Sequence, residues 1–178
     1  MTLDGFVAGP NGETDWRLRS GDEGGKKWIE QNLWQVGLHA VGRRSFEGWA
    51  GYWPKSSDPL AAPMNDIPKA VFTRQRSLDL GSYAGNWAEA EVVNGDLKTE
   101  INRLKQQPGK DILAHGGASF AQSLVASGLI DEYRLFVHPV VLGNGLALFA
   151  ELPKPLNLEL RGTTLFRSGV AALVYQPA

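Results

Sequence analysis

The 178-residue chain contains no cysteine. That excludes disulfides, thiolate nucleophiles and cysteine-ligated metal sites, and it fits a cytoplasmic location. Histidine is nearly as scarce: His39, His115 and His138 stand far apart, with no His-Glu-x-x-His pattern, so no metal site is expected. Neither sign of charge is in excess. Eighteen Lys and Arg face nineteen Asp and Glu, for a net charge of -1, which offers no field for nucleic acid or an anionic membrane surface. No apolar run reaches the length of a membrane-spanning helix, and no basic-then-apolar segment opens the chain as a signal peptide would. Repeats, low-complexity tracts and linkers are missing as well. What remains is 43% hydrophobic and 21% charged, the balance of a globular protein, and its length predicts one domain over residues 1–178. Tryptophan is plentiful at six, which suggests a cleft walled by flat rings or an aromatic core.

The pattern alternates strands and helices. Leu3 to Ala8 is short and apolar, and Gly9-Pro10-Asn11-Gly12 breaks it into a loop. Lys26 to Val36 reads as a helix with Trp28, Ile29, Leu33 and Val36 on one face, stopped at Gly37. Leu38 to Val41 reads as a buried strand, Phe46 to Trp49 as a short helix, and Trp53 to Pro68, with four prolines, as a long loop. Lys69 to Thr73 and Glu91 to Val93 follow as strands. Asp96 then caps a helix carrying Leu97, Ile101 and Leu104, ended by Pro108-Gly109. Asp111 to His115 is a strand, Ala118 to Ser127 a helix stopped by Gly128, and Tyr133 to His138 a strand. The helix between these two strands is long enough for a crossover, so a parallel pair is expected. Leu158 to Phe166 and Val170 to Tyr175 predict a closing antiparallel hairpin turned near Arg167-Ser168-Gly169.

Three strand ends carry suggestive chemistry, and in open α/β sheets ligands bind beyond the carboxyl ends of strands. At Gly116-Gly117-Ala118-Ser119, glycine admits a phosphate close to the backbone and the helix behind it offers free amides and a positive dipole end. Two glycines also make an ordinary tight turn. At Gly42-Arg43-Arg44-Ser45, two arginines oppose the dipole at a helix start, which a bound anion would explain; a pair of solvated surface arginines is the alternative. Thr73-Arg74 repeats the combination of a hydroxyl and an arginine after a strand. None of this is the G-x-G-x-x-G fingerprint or a P-loop. By spacing alone the chain is an α/β protein with an anion site.

The run Leu113-Ala114-His115-Gly116-Gly117-Ala118-Ser119-Phe120-Ala121-Gln122-Ser123-Leu124, continued by Gly128-Leu129-Ile130-Asp131-Glu132-Tyr133-Arg134-Leu135, resembles the C-terminal reductase domain of the riboflavin-biosynthesis deaminase-reductase, within the dihydrofolate-reductase-like superfamily. Thr2-Leu3-Asp4-Gly5-Phe6-Val7-Ala8-Gly9-Pro10, Asp15-Trp16, Val41-Gly42-Arg43-Arg44-Ser45-Phe46-Glu47 and His138-Pro139-Val140-Val141-Leu142-Gly143 match the same family in order, closer to its stand-alone members. The resemblance implies a three-layer α/β fold: a mixed, mostly parallel central sheet, flanking helices and a C-terminal antiparallel hairpin. It implies NADPH as cofactor. The pyrophosphate would lie on Gly116, Gly117, Ala118, Ser119 and Phe120, the adenosine 2′-phosphate side on Gly42, Arg43, Arg44, Ser45, Thr73 and Arg74, and the nicotinamide beside Trp16. Hydride would pass to a C=N or aldehyde-type carbon of a small heterocycle.

The chain departs from the family at three points. His115 stands at a substrate-facing position that carries an acid in the riboflavin reductase, and a histidine offers different hydrogen bonds. No deaminase domain is expected, since its cysteine-based zinc motif needs residues that this sequence lacks. Met1 begins inside the first strand, so the sheet is expected to have a truncated first strand or a gap. Proton-donor candidates are His115, Asp4 and Asp15, although Asp4 also suits a turn before Gly5. Tyr52 and Trp53, with Trp49, would wall the substrate site or pack in the core. Dihydrofolate reductase activity would need a pterin-facing carboxylate from Asp22, Glu23 or Glu30. A non-catalytic NADP-binding protein is the further alternative. The expected partners are a small-molecule substrate and a second copy in a homodimer, with the C-terminal strands as the contact, and no nucleic acid or membrane.

Overall fold

A computed structural model describes residues 1–178 and divides into two compact units, Met1–Lys27 with Gln122–Ala178, and Trp28–Ala121. The middle unit is built on parallel strands β2 (Val36–Gly42), β3 (Lys69–Phe72), β4 (Glu91–Val93) and β5 (Asp111–Ala114), in the order β4-β3-β2-β5. Strands that run parallel need crossovers, and helices supply them: α2 (Arg43–Tyr52) and α3 (Ala61–Asp66) between β2 and β3, and α4 (Leu97–Lys105) between β4 and β5. Both faces of the sheet are covered. Val41 and Val71 pack with Phe46, Met64 and Trp87 on one face, while Ala70 and Val93 pack with Leu104 on the other. Phe46, Trp87, Val41 and Val71 are wholly buried, so this sheet and its helices enclose a core of their own. Asp96 caps α4 as expected, accepting from the Thr99 amide at 2.9 Å, a contact worth about 1 kcal/mol.

The flanking unit holds an antiparallel sheet in the order β6-β9-β8, from β6 (Tyr133–Val137), β8 (Leu158–Leu165) and β9 (Ala171–Pro177), and a short antiparallel pair, β1 (Phe6–Ala8) with β7 (Leu146–Ala147). The expected C-terminal hairpin is β8 and β9, turned at Gly169 with φ of 84°. Two helices run across the division of the chain: α1 (Glu23–Leu33) and α5 (Ala118–Ala126).

Five expectations need correction. The first helix runs Glu23–Leu33 rather than from Lys26 to Val36, because Asp22 accepts from the Gly25 amide at 2.7 Å and starts it a turn early; Val36 and Gly37 belong to β2. The second helix extends over Arg43–Tyr52. The proline-rich loop is partly helical: Pro54 lies in the 3-10 turn Trp53–Lys55 and Pro63 in the first turn of α3, where a missing amide hydrogen costs nothing. Leu3 to Ala8 is not one strand. Thr2 bridges His138 in parallel, Gly5 turns the chain at φ of 90°, and only Phe6–Ala8 continues extended. Finally, β5 and β6 do not pair. β5 is bonded only to β2, at the end of its sheet, whereas β6 gives its edge to β9 from Tyr133↔Tyr175 to Val137↔Ala171.

Candidate active site

Two helix amino termini meet at the carboxyl ends of β2 and β5. A methyl placed on Gly42 would come within 3.1 Å of Phe120 Cβ, and one on Gly117 within 3.5 Å of Ser45 Oγ and 3.8 Å of Gly42 Cα. The turn before α2 and the turn before α5 thus touch glycine against glycine. No side chain caps the first turn of α2. Gly116 and Gly117 have φ of 80° and 84°, the left-handed region that glycine enters without strain. Gly116 also abuts the indole of Trp49, and a β-carbon there would fall 2.2 Å from Trp49 Cη2. Free amides at helix starts, with the dipoles behind them, are the setting in which proteins bind phosphate.

The arginines divide. Arg43 Nη1 pairs with Glu47, four residues on, at 2.8 Å and 3.1 Å, so its charge is already matched. Arg44 is exposed on the first turn of α2 and has no ion pair. Thr73 and Arg74 follow β3, whose last residue Phe72 stands opposite Gly42. The Thr73 amide donates to Val93 O at 2.9 Å, and Arg74 is exposed. Phe72 stacks on Phe120 at 4.7 Å between ring centres, tying the third strand end to α5. Gly42 to Ser45, Thr73, Arg74 and Gly116 to Phe120 therefore share one end of the parallel sheet. Tyr52 and Trp53 lie at the other end of α2, roughly 13 Å along its axis. Tyr52 is exposed; Trp53 packs against the core, and its buried Nε1 has no partner.

His115 ends β5 and directly precedes the turn. Its Nε2 lies 2.9 Å from Nδ1 of His39, whose Nε2 lies 3.2 Å from the carbonyl of Pro63. Trp49 covers the His115 ring at 5.0 Å. Burial, helped by the nearby His39, lowers the His115 pKa to about 3, and burial lowers that of His39 to about 4. Both rings are neutral at pH 7. Beneath them, buried Lys69 donates to the carbonyls of Asn65 at 2.8 Å and Ile67 at 2.5 Å and lies over the Trp87 ring at 4.6 Å. Sequence reasoning missed His39. The signal available was a single polar residue inside the apolar strand Leu38-His39-Ala40-Val41.

In the flanking unit, the Asp4 carboxylate accepts from Thr2 Oγ1 at 2.6 Å and from the amides of Leu142 at 3.1 Å and Gly143 at 2.8 Å. The Thr2 bond, with those amides, holds its pKa below the usual carboxylate range. Asp4 is thus an ionised loop anchor, which removes it as a proton donor. Trp16 is buried in the 3-10 turn Asp15–Ser20, donates from Nε1 to Glu13 O at 3.3 Å and meets the His138 ring edge-on. Asp15 is exposed and, with Trp16, Arg19, Val140 and Leu142, lines an open cavity of about 470 Å³.

A parallel sheet whose strands β2 and β5 run through glycine turns into helices defines an open α/β class, in which ligands bind beyond the carboxyl ends of the strands. Comparison narrows the class: the family model of the RibD C-terminal domain matches residues 1–172, and the chain belongs to that family. It is 39% identical over 181 residues to the YyaP protein of Bacillus subtilis strain 168, covering 98% of this chain and 90% of that one. It is 22% identical to the riboflavin biosynthesis protein RibD of Corynebacterium ammoniagenes, over 92% of this chain but 47% of that one. Among solved structures, a pyrimidine reductase-like protein of Corynebacterium diphtheriae superposes with a TM-score of 0.70 at 14% identity, covering 100% of this chain and 89% of that one. Dihydrofolate reductase of Enterococcus faecalis superposes at 0.64 and 15% identity, covering 99% and 92%. These likenesses establish the dihydrofolate-reductase-like fold expected from the sequence.

Proposed function

We propose that the chain is an NADPH-dependent reductase that transfers hydride to a small heterocyclic, pterin- or pyrimidine-like, or imine or aldehyde substrate. The observation that supports this is the meeting of two helix starts at Gly42 and Gly116-Gly117, with unpaired Arg44 at the rim. Glycine at 42, 116 and 117 lets Phe120, Trp49 and Ser45 pack directly on these turns, where a β-carbon would crowd them, and so keeps the two helix starts side by side for a phosphate to bridge. Gly116 to Phe120 would hold the pyrophosphate, and Ser45, Arg44, Thr73 and Arg74 the 2′-phosphate side. The nicotinamide supplies the hydride. The chain's own part is to hold it, to exclude water and to deliver a proton. Asp15, exposed on the cavity beside Trp16, is the carboxyl retained as a candidate for that proton.

The dihydrofolate reductase reading is weakened at Asp22, whose oxygens accept from the amides of Gly25 at 2.7 Å and Ser168 at 2.9 Å and so serve as a cap.

The test is thermal unfolding with each cofactor. At a hundred times Kd, NADPH adds about 2.7 kcal/mol, which for a chain of this length raises Tm by roughly 5–10 °C, and NADH gives much less. Arg44→Ala weakens NADPH about tenfold or more, since a hydrogen bond to a charged group is worth roughly 1.5–3 kcal/mol, and leaves NADH unchanged. Equal or absent shifts reject the cofactor assignment. Binding without turnover across pterin, pyrimidine and aldehyde substrates leaves a non-catalytic NADP-binding protein.

The chain is further proposed to form a homodimer through its C-terminal strands. β8 is the edge of its sheet and leaves Leu160 55% and Leu165 73% exposed. Light scattering at micromolar concentration should return twice the chain mass. A monomer there rejects the dimer.

A further inference from the structure

The direction of the hydrogen bonds through His39 fixes which nitrogen His115 presents. The Pro63 carbonyl can only accept, so the His39 nitrogen 3.2 Å away, Nε2, carries the proton. A neutral imidazole has one proton, and burial keeps His39 neutral. Its Nδ1 is therefore a bare acceptor. The partner of that acceptor at 2.9 Å, His115 Nε2, must be the donor. The remaining nitrogen of His115, Nδ1, holds a lone pair and takes no hydrogen bond from the protein.

The arrangement is fixed by the fold. In the register of β2 with β5, His39 stands opposite Leu113, two residues before His115, so the three side chains share one face. The His115 amide is held to Ala40 O, and Trp49 lies against both the His115 ring and Gly116. His39 is wholly buried among these groups, whereas His115 is only partly buried at the mouth of the glycine turn.

We propose that His39 is a positioning residue that locks His115 in its Nε2-protonated tautomer, so that His115 offers the substrate a hydrogen-bond acceptor at Nδ1. The substrate it fits carries an N–H or O–H donor at that point, such as the ring imide of a uracil-type heterocycle. His115 is then no general acid: its one proton is committed to His39. The substrate half of this inference rests on the reductase reading, and the tautomer half stands without it.

Nitrogen-15 NMR of histidine-labelled protein at pH 7 tests the tautomer directly, with no ligand and no substitution. Expected are a protonated Nε2 and an unprotonated, pyridine-type Nδ1 on His115. An Nδ1-protonated ring or an imidazolium overturns the proposal. His39→Asn, which keeps an acceptor near the Nδ1 position, should preserve the His115 pattern, and His39→Leu should give a mixture of tautomers. A His115 pattern unchanged by His39→Leu removes the positioning role. If the leucine variant does not fold, the wild-type and asparagine spectra still decide. With NADPH present, millimolar uracil should shift His115 Nδ1, and 1,3-dimethyluracil, which has no ring N–H, should not. Equal or absent responses overturn the substrate half. NADPH affinity measured on the same samples separates failure of this inference from failure of the cofactor assignment.

Discussion

Gly116→Ala should destabilise the protein by about 3–4 kcal/mol, whereas Gly117→Ala should cost about half as much. The two neighbours share a positive φ, and a β-carbon in that region costs roughly 1–2 kcal/mol at either position. Space separates them. At Gly117 the added methyl finds Ser45 Oγ at 3.5 Å and Phe120 Cβ at 3.7 Å, ordinary contacts. At Gly116 it falls inside the Trp49 ring, with Cη2 at 2.2 Å and Cζ2 at 2.7 Å, and displacing a packed indole adds roughly 1–3 kcal/mol of overpacking. Denaturant unfolding with constant m-value measures both changes. Trp49→Leu should recover part of the Gly116→Ala loss and none of the Gly117→Ala loss. Equal costs for the two alanines would show that the indole yields freely and that only backbone strain matters.

Acid should unfold this protein through its histidines. The pKa values of His39, His115 and His138 are all lowered from 6.5, to about 4, 3 and 4, chiefly by burial. In each case the unfolded chain binds the proton more readily. The full stability is therefore present above pH 6.5 and is lost as pH falls through 6.5 toward 4. For His39 alone the drop to about 4 corresponds to roughly 3 kcal/mol. His39 and His115 are hydrogen-bonded to each other, so their protons add as a pair and not independently. Unfolding free energy measured from pH 8 to pH 4 should fall by several kcal/mol, and His39→Asn should flatten the curve. A profile level across pH 6.5 to 4.5 would contradict the neutral, buried state of the pair.

The sequence was informative where one local cause decides. The parallel strands announce themselves as short apolar runs, and the Asp96 cap and the Gly169 hairpin turn each rest on a few adjacent residues. The glycine turns after β2 and β5 were legible for the same reason: glycines directly after an apolar strand mark the passage from strand to helix. What stayed hidden depends on distant partners. Asp4 could be an acid or a turn residue until Leu142 and Gly143 were seen donating to it. Arg43 and Arg44 look alike in sequence, yet only Arg43 has Glu47 one helical turn away. The expected pairing of β5 with β6 followed from a local crossover rule, and it gave way because distant segments take both edges of β6: β9, more than thirty residues later, on one, and Met1–Thr2, bonded to Phe136 and His138, on the other. His39 was invisible as a functional residue because its meaning lies in His115, which the sequence places 76 positions away.

That last pair carries a consequence for the chain's relatives. Because the proton order through Pro63, His39 and His115 runs one way, position 39 offers position 115 a lone pair and nothing else. A carboxylate at 115 would face that lone pair with its own, so a relative with an acid there needs a donor at 39: an imidazolium carrying a second proton, or a residue such as serine, asparagine or lysine. The residue or the protonation state at 39 should therefore follow the residue at 115 across the lineage. Substrate preference would then be inherited as a two-letter word whose first letter lies out of sight of the substrate.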